Sequence, residues 1–259
     1  MDLEFDINKI KWVSGNYGLP EAYFKINIPS VTSIINSMIP DPELEDWARK
    51  IGQEKADEIM KQAGFRGTAM HLFIENFINN LFKSKDPSEA LRYTQSTTPL
   101  QLLEQNIPEN KIAEGRELFY KFYYSEYSSV YNNLIKTEMG LYSPTYLYRG
   151  KADIFYMNRI FGPAVTDFKT SNGYIKKGSV KELKYKFQLG GYSNCVDELY
   201  KEKNIVVKHS SILCVNTKTN DLQEIELSGA ELENYKNEFK TLVKEYHKIN
   251  NQYLYKIIK

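Results

Sequence analysis

Two apolar, β-rich runs, Ala152 to Met157 and Ala164 to Thr170, are separated by Asn158-Arg159 and Gly162-Pro163. Those residues favour turns, so the pattern predicts a hairpin. Leu134 to Tyr142 reads as the strand before it, and Val206 to Val215 and Leu222 to Leu227 as two strands after it, joined by the polar turn 216–220.

Helical spacing occupies most of the remainder. Pro29-Ser-Val-Thr-Ser-Ile-Ile begins a first helix with Ser30 or Thr32 as its cap. Asp41-Pro42 opens a second, with Leu44, Trp47, Ala48, Ile51, Ile59 and Met60 on its apolar side and Gly64 as its end. From Thr68 to Phe82 the positions Met70, Phe73, Ile74, Phe77, Ile78 and Leu81 follow the i, i+3, i+4, i+7 rule, giving an amphipathic third helix. Pro87, Pro99 and Pro108 mark residues 84–109 as a long connection with one short helix, of the kind that is either a functional flap or a disordered segment. Asn110 to Asn133 is aromatic and helical, Lys181 to Tyr200 is helical, and Leu232, Tyr235, Phe239, Leu242, Tyr246 and Ile249 mark a long terminal helix. Short apolar runs at Ile10 to Val13 and Tyr23 to Ile28 predict a loose strand or hairpin.

A 259-residue chain with 42% hydrophobic residues can bury one large core. The expectation is a helical region over residues 1–133, carrying the His71 helix, packed as one compact unit on a core of 134–259. Lys plus Arg number 34 against 33 Asp plus Glu. That balance excludes a bulk polycation, so any nucleic-acid binding must come from a local basic groove. Cys195 and Cys214 sit in apolar contexts and cannot supply the four thiolates of an iron–sulfur cluster. No run of about 18 apolar residues is present, so no membrane span is expected. The acidic start, Met1 to Asp6, resembles no targeting signal, and the expectation is a cytoplasmic protein of a bacterial or phage-infected cell. Twenty tyrosines fit either wet core edges or base stacking.

The hairpin carries the chemistry. Facing positions of an antiparallel pair lie about 5 Å apart at Cβ, so Asp153 and Asp167 are placed to share a divalent ion. Lys169, two residues after Asp167, projects from the same face. The bland alternative is a surface hairpin with an ordinary salt bridge. Against it, Asp167 lies within an apolar run, where an unpaired charge is costly. His71 borders the apolar stripe of the third helix, with Glu75 four residues on. Glu138 lies on the first strand, and Gln188 and Tyr192 are one helical turn apart.

Taken in order, Pro29-Ser-Val-Thr-x-Ile-Ile, Leu44-Glu-x-Trp47-x-Arg49, Arg66-Gly-x-x-x-His71-x-x-Ile-Glu75, Gly150-x-x-Asp153 and Val165-Thr-Asp-Phe-Lys-Thr-Ser171 resemble the PD-(D/E)XK nuclease superfamily. The likeness is to its RecB-like branch, and within that to the family of the mitochondrial genome maintenance exonuclease and its phage and bacterial relatives. It covers nearly the whole chain from about Ile28, though Ala152 stands where proline precedes the first aspartate of the motif. The resemblance implies an α/β fold, a restriction-endonuclease-like core with a central mixed β-sheet flanked by helices and an N-terminal helical region. It implies that His71, Asp153 and Asp167 ligate Mg²⁺ or Mn²⁺ with the Phe168 carbonyl, Glu138 being a further candidate. Lys169 would orient the attacking water, and Gln188 and Tyr192 would support it. Thr170, Ser171, Arg49, Lys176 and Lys177 are the candidate substrate contacts.

The activity so implied is exonucleolytic hydrolysis of single-stranded DNA from free ends, the 5′ end favoured, by a monomer acting in DNA replication, repair or recombination. The helices before Glu138 would form an arch or wall admitting single strands. Alternatives are an endonuclease or flap nuclease of the same fold and a catalytically silent binding module.

Overall fold

The structure, a computed structural model, describes residues 28–250. The predicted strand or hairpin before Ile28 therefore lies outside the described residues, apart from Ile28 itself.

Five strands, β1 (Leu134–Ser143), β2 (Tyr148–Asn158), β3 (Gly162–Ser171), β4 (His209–Asn216) and β5 (Leu222–Ser228), form one sheet in the order β1-β2-β3-β4-β5. Neighbours run antiparallel except β3 and β4, which are parallel. A parallel neighbour needs a long crossover, and helix α7 (Val180–Leu199) lies on it.

Helices cover both faces. Beneath α1 (Val31–Met38), α7 and α8 (Gly229–Asn250), the residues Val31, Leu189 and Phe239 pack with Phe155, Val165 and Ile212 of the sheet. On the other face, Met70, Phe73 and Phe77 of α3 (Gln53–Ser84) and Phe119 and Phe122 of α6 (Glu109–Tyr123) pack against Ile154, Phe168 and Leu213. This is the mixed sheet flanked by helices, with helices leading in from the N-terminal side, that the sequence predicts. Both cysteines are buried and free. Among the described residues no helix is long and apolar enough to cross a membrane.

Three boundaries differ from the expectation. The second helix, α2 (Pro42–Ile51), stops at Gly52 rather than Gly64, and α3 then runs unbroken through Gly64 and Gly67. Gly52 has φ 89° and ψ 139°, a conformation open to glycine, so the chain turns there. The 84–109 stretch is no flap. It forms α4 (Pro87–Ser96) and α5 (Leu100–Glu104), whose Ala90 and Leu102 are buried with the α3 core. The helix predicted over 110–133 ends at Tyr123 and continues as a 3₁₀ segment, Glu126–Asn133. Its aromatic residues are largely core: Phe122 meets Phe168 edge-on at 4.8 Å, and Phe77 meets Tyr123 at 5.1 Å.

Helices α3 and α6 pack at close range. A Cβ on Gly115 would stand 2.4 Å from Ala69 Cβ and 2.7 Å from the Met70 nitrogen, so the two backbones approach as only glycine permits. Gly115→Ala is expected to lower unfolding stability by about 1–3 kcal/mol, the usual scale of overpacking. Urea denaturation measures it, and an unchanged midpoint would mean that the two helices part freely.

Candidate metal centre

One cleft of about 700 Å³ opens where β1, β2 and β3 meet α1, α3 and α7. Its floor comes from an interruption in the sheet. The β1–β2 ladder pairs Thr137 with Ile154 and Met139 with Ala152, passing over Glu138 and Asp153. The β2–β3 ladder begins only at Ile154 and Thr166. Asp153 thus sits at a skipped pair of the first ladder and just beyond the end of the second, where its carboxylate takes a backbone N–H of β3. Asp153 Oδ2 accepts the Phe168 N–H at 2.6 Å, while Oδ1 faces His71 Nδ1 at 3.2 Å.

Glu138 takes φ 49°, a left-handed conformation costing a non-glycine residue about 1–3 kcal/mol. The strain turns its carboxylate toward the cleft, where it also pairs with Lys151. One ligand atom each from His71, Glu138 and Asp153 can be chosen so that all lie within 4.8 Å of one another. Oxygen donors about 2.0–2.1 Å from a small divalent cation stand closer together than that, so a modest inward adjustment completes the set. An imidazole with carboxylates suits Mn²⁺ as well as Mg²⁺.

Asp167 lines the same cleft on β3 but stands beside this trio rather than within it. Its Oδ2 pairs with Lys169 and accepts from Gln188 Nε2 at 3.2 Å. The same amide donates to the Tyr192 hydroxyl at 3.0 Å, so Gln188 ties α7 to the carboxylate. Glu138, which the sequence offered as an additional ligand, is therefore the better placed of the two for the trio.

The electrostatics are those of an acidic cage. Burial and repulsion from Asp153 push the Asp167 carboxyl up to about 7. Burial acts upward on Asp153 too, but His71, Lys169 and the Phe168 N–H outweigh it and hold that carboxyl below the usual range. Two neighbouring carboxylates forced apart in this way mark a site where a cation would relieve the repulsion. Burial presses the His71 imidazole down, but the Asp153 charge more than compensates and raises it. Glu75, on the same wall of α3, is raised by burial and by Glu138. Burial takes the Tyr192 phenol well above its ordinary value, so it keeps its proton.

The remaining predicted residues divide. Thr170 lines the cleft and a neighbouring hollow, and Ser171 and Lys176 line that hollow. Ser171 Oγ accepts from Lys181 Nζ at 2.8 Å. Phe168 contributes its N–H to Asp153 and its ring to the core. Arg49 and Lys177 line neither space. Arg49 is exposed and paired with Asp46. It lies about 200° around the helix from Trp47, which turns it to solvent. Lys177 is exposed on the loop before α7. Sequence reasoning passed over Glu75, Lys151 and Arg149 as site residues, although all three line the cleft. For Lys151 the signal was present, since it shares a strand face with Asp153.

Glu138→Gly separates strain from ligation. It is expected to raise the stability of the metal-free protein by about 1 kcal/mol through relief of the left-handed backbone, and to shrink the rise in Tm that Mn²⁺ produces. Thermal unfolding with and without Mn²⁺ reads both, and a full Mn²⁺ shift in the variant would remove Glu138 from the ligand set.

The molecule is thus an α/β protein whose mixed five-stranded sheet is interrupted at a cleft holding His71, Glu138 and Asp153 beside an aspartate–lysine pair. No protein family model matches the chain, and no curated protein matches it in sequence. Among solved structures, a "putative exonuclease" from Eubacterium rectale aligns at TM-score 0.45 and 12% identity, over 60% of this chain and 62% of that one. The chain thus spans a little under two thirds of that relative. SSO0001 aligns at TM-score 0.33 and 15% identity, over 62% of this chain and 70% of that one.

Proposed function

We propose that this chain is a metal-dependent exonuclease that hydrolyses single-stranded DNA from free ends, the 5′ end favoured, in DNA replication, repair or recombination. The carrying observation is the convergence in one cleft of the His71, Glu138 and Asp153 trio with the Asp167–Lys169 pair.

His71, Glu138 and Asp153 would hold Mg²⁺ or Mn²⁺, with Asp167 adjoining. Such an ion, when bound, polarises the scissile phosphate and makes its coordinated water a stronger nucleophile. The chain's own groups do the rest. Lys169 brings a cation to the place where negative charge grows on the phosphate oxygens, and Asp167 holds it there. Gln188 fixes the Asp167 rotamer from α7. Tyr192, kept protonated, closes the far side of the amide. The α3 wall, through Gly67, Thr68, His71 and Glu75, bounds the cleft on one side; in this reading it is the wall that admits single strands and excludes duplex.

Purified protein with Mg²⁺ or Mn²⁺ and 5′-labelled, 3′-labelled and circular single strands tests this reading, with Asp167→Ala as control. Release of short products from linear strands alone is expected. Cutting of circles would make it an endonuclease, equal cutting of duplex would remove the single-strand preference, and cleavage unaffected by Asp167→Ala would assign the activity elsewhere.

A further inference from the structure

Beside the cleft lies a second hollow of about 480 Å³, a size that suits a small ligand. It joins the cleft at Thr170, which lines both. Its two sides differ in chemistry. One is apolar and comes from α2 and the start of α3: Leu44, Trp47, Ile59 and Met60. Leu44 and Met60 are more than 40% exposed, which is unusual for side chains clustered around one concavity. The other side comes from α3, the loop after β3 and the start of α7, and carries Arg66, Lys176 and Lys181, with Glu43 of α2 the one carboxylate in the lining.

Two of those cations are incompletely satisfied. Arg66 reaches Asn172 at 3.2 Å and Glu114 at 3.5 Å, yet its Nε is buried with no hydrogen-bond partner among the described residues. Lys181 donates to Ser171 at 2.8 Å, and burial lowers its pKa, the mark of an ammonium short of compensating charge. An anion in the hollow would compensate the Lys181 ammonium and meet the guanidinium of Arg66, which lines the same space.

The opposite flank of the cleft is unlike this one. A third hollow of about 320 Å³ adjoins it at Leu72 and Glu75. Amides and hydroxyls line it, among them Asn76, Asn79 and Thr98, with no lysine or arginine.

We propose that the hollow between Trp47 and Lys181 is a subsite for one unstacked nucleotide of the single-stranded substrate, its base against Trp47 and Leu44 and its phosphate against Arg66 and Lys181. This inference rests on the nuclease reading and adds to it a side: the strand is gripped on the α2 flank and leaves past the one whose lining carries no lysine or arginine. Base stacking tolerates any sequence, so the subsite selects for unpaired bases rather than for particular ones.

The chain has two tryptophans, so a Trp12→Phe background leaves Trp47 as the sole indole reporter. With Ca²⁺ in place of the catalytic ion, a short oligothymidylate is expected to quench Trp47 fluorescence to saturation, and an oligomer of abasic sugars to bind without quenching. In the natural background, followed by labelled-strand anisotropy, Trp47→Ala and Lys181→Met are each expected to weaken binding about tenfold. KM would rise and kcat stay near its starting value, while Trp47→Phe retains most of the affinity. Unquenched Trp47 together with unchanged affinity in both variants, in a protein that still cleaves single strands, overturns the subsite and leaves the nuclease reading standing. Absence of metal-dependent cleavage in the parent protein ends both.

Discussion

Asp153→Asn is expected to leave the protein folded and almost inactive. Its carboxylate accepts from Phe168 on one oxygen and meets His71 on the other, and it belongs to the ligand trio as well. An asparagine has one acceptor oxygen, so its amide must turn NH₂ toward either the Phe168 N–H or the imidazole. It also removes one full charge from the cage. Charge stabilisation of several kcal/mol by a bound ion, at about 1.4 kcal/mol per tenfold, corresponds to a loss of about a thousandfold or more in single-turnover cleavage. Mn²⁺ titration by calorimetry should show the matching loss of affinity. A variant that cleaves within threefold of the parent would show that the chemistry lies elsewhere.

Lys169→Met is expected to have the second largest effect and a different signature. The ammonium is paired with Asp167, and the charge of Asp167 raises its pKa against the downward pull of burial, so it stays protonated across the working range. Losing an electrostatic group aimed at a transition state commonly costs about a hundredfold to a thousandfold in rate. Metal affinity should not fall, because Asp167 then loses its counter-ion and turns more readily to a cation. The pair of measurements distinguishes the two substitutions: Asp153→Asn loses metal and rate together, whereas Lys169→Met loses rate alone. Weakened Mn²⁺ binding in Lys169→Met would mean that the lysine holds the cage together instead of acting on the phosphate.

The residues of the cleft were legible because they lie on elements with strong local signals. The β2–β3 turn formers placed Asp153 against Asp167, and the unbroken apolar stripe of α3 put His71 at its edge. Gln188 and Tyr192 needed only helical spacing. Prolines misled the reading of 84–109, where they start helices instead of interrupting them: Pro87 follows the cap Asp86, and Pro99 and Pro108 sit at the N-termini of α5 and α6. Gly64 misled as well, read as the end of a helix that in fact runs through it. A glycine inside a helix costs about 1 kcal/mol, which the packing of α3 on the sheet and α6 outweighs. The left-handed turn of Glu138 leaves no local trace in sequence, because glutamate has no preference for it, so the resemblance could offer Glu138 only as a further candidate and its place beside His71 and Asp153 came from three dimensions.

The bend at Glu138 has a further consequence, for self-association. Among the described residues β1 is an edge strand of ten residues, and a flat edge of that length offers a template on which another copy's strand can add. A left-handed residue midway breaks the row of outward N–H and C=O groups into two short pieces, each too brief to zip up with a neighbour. The backbone distortion that turns a carboxylate inward thus also makes this edge a poorer template for another copy's strand.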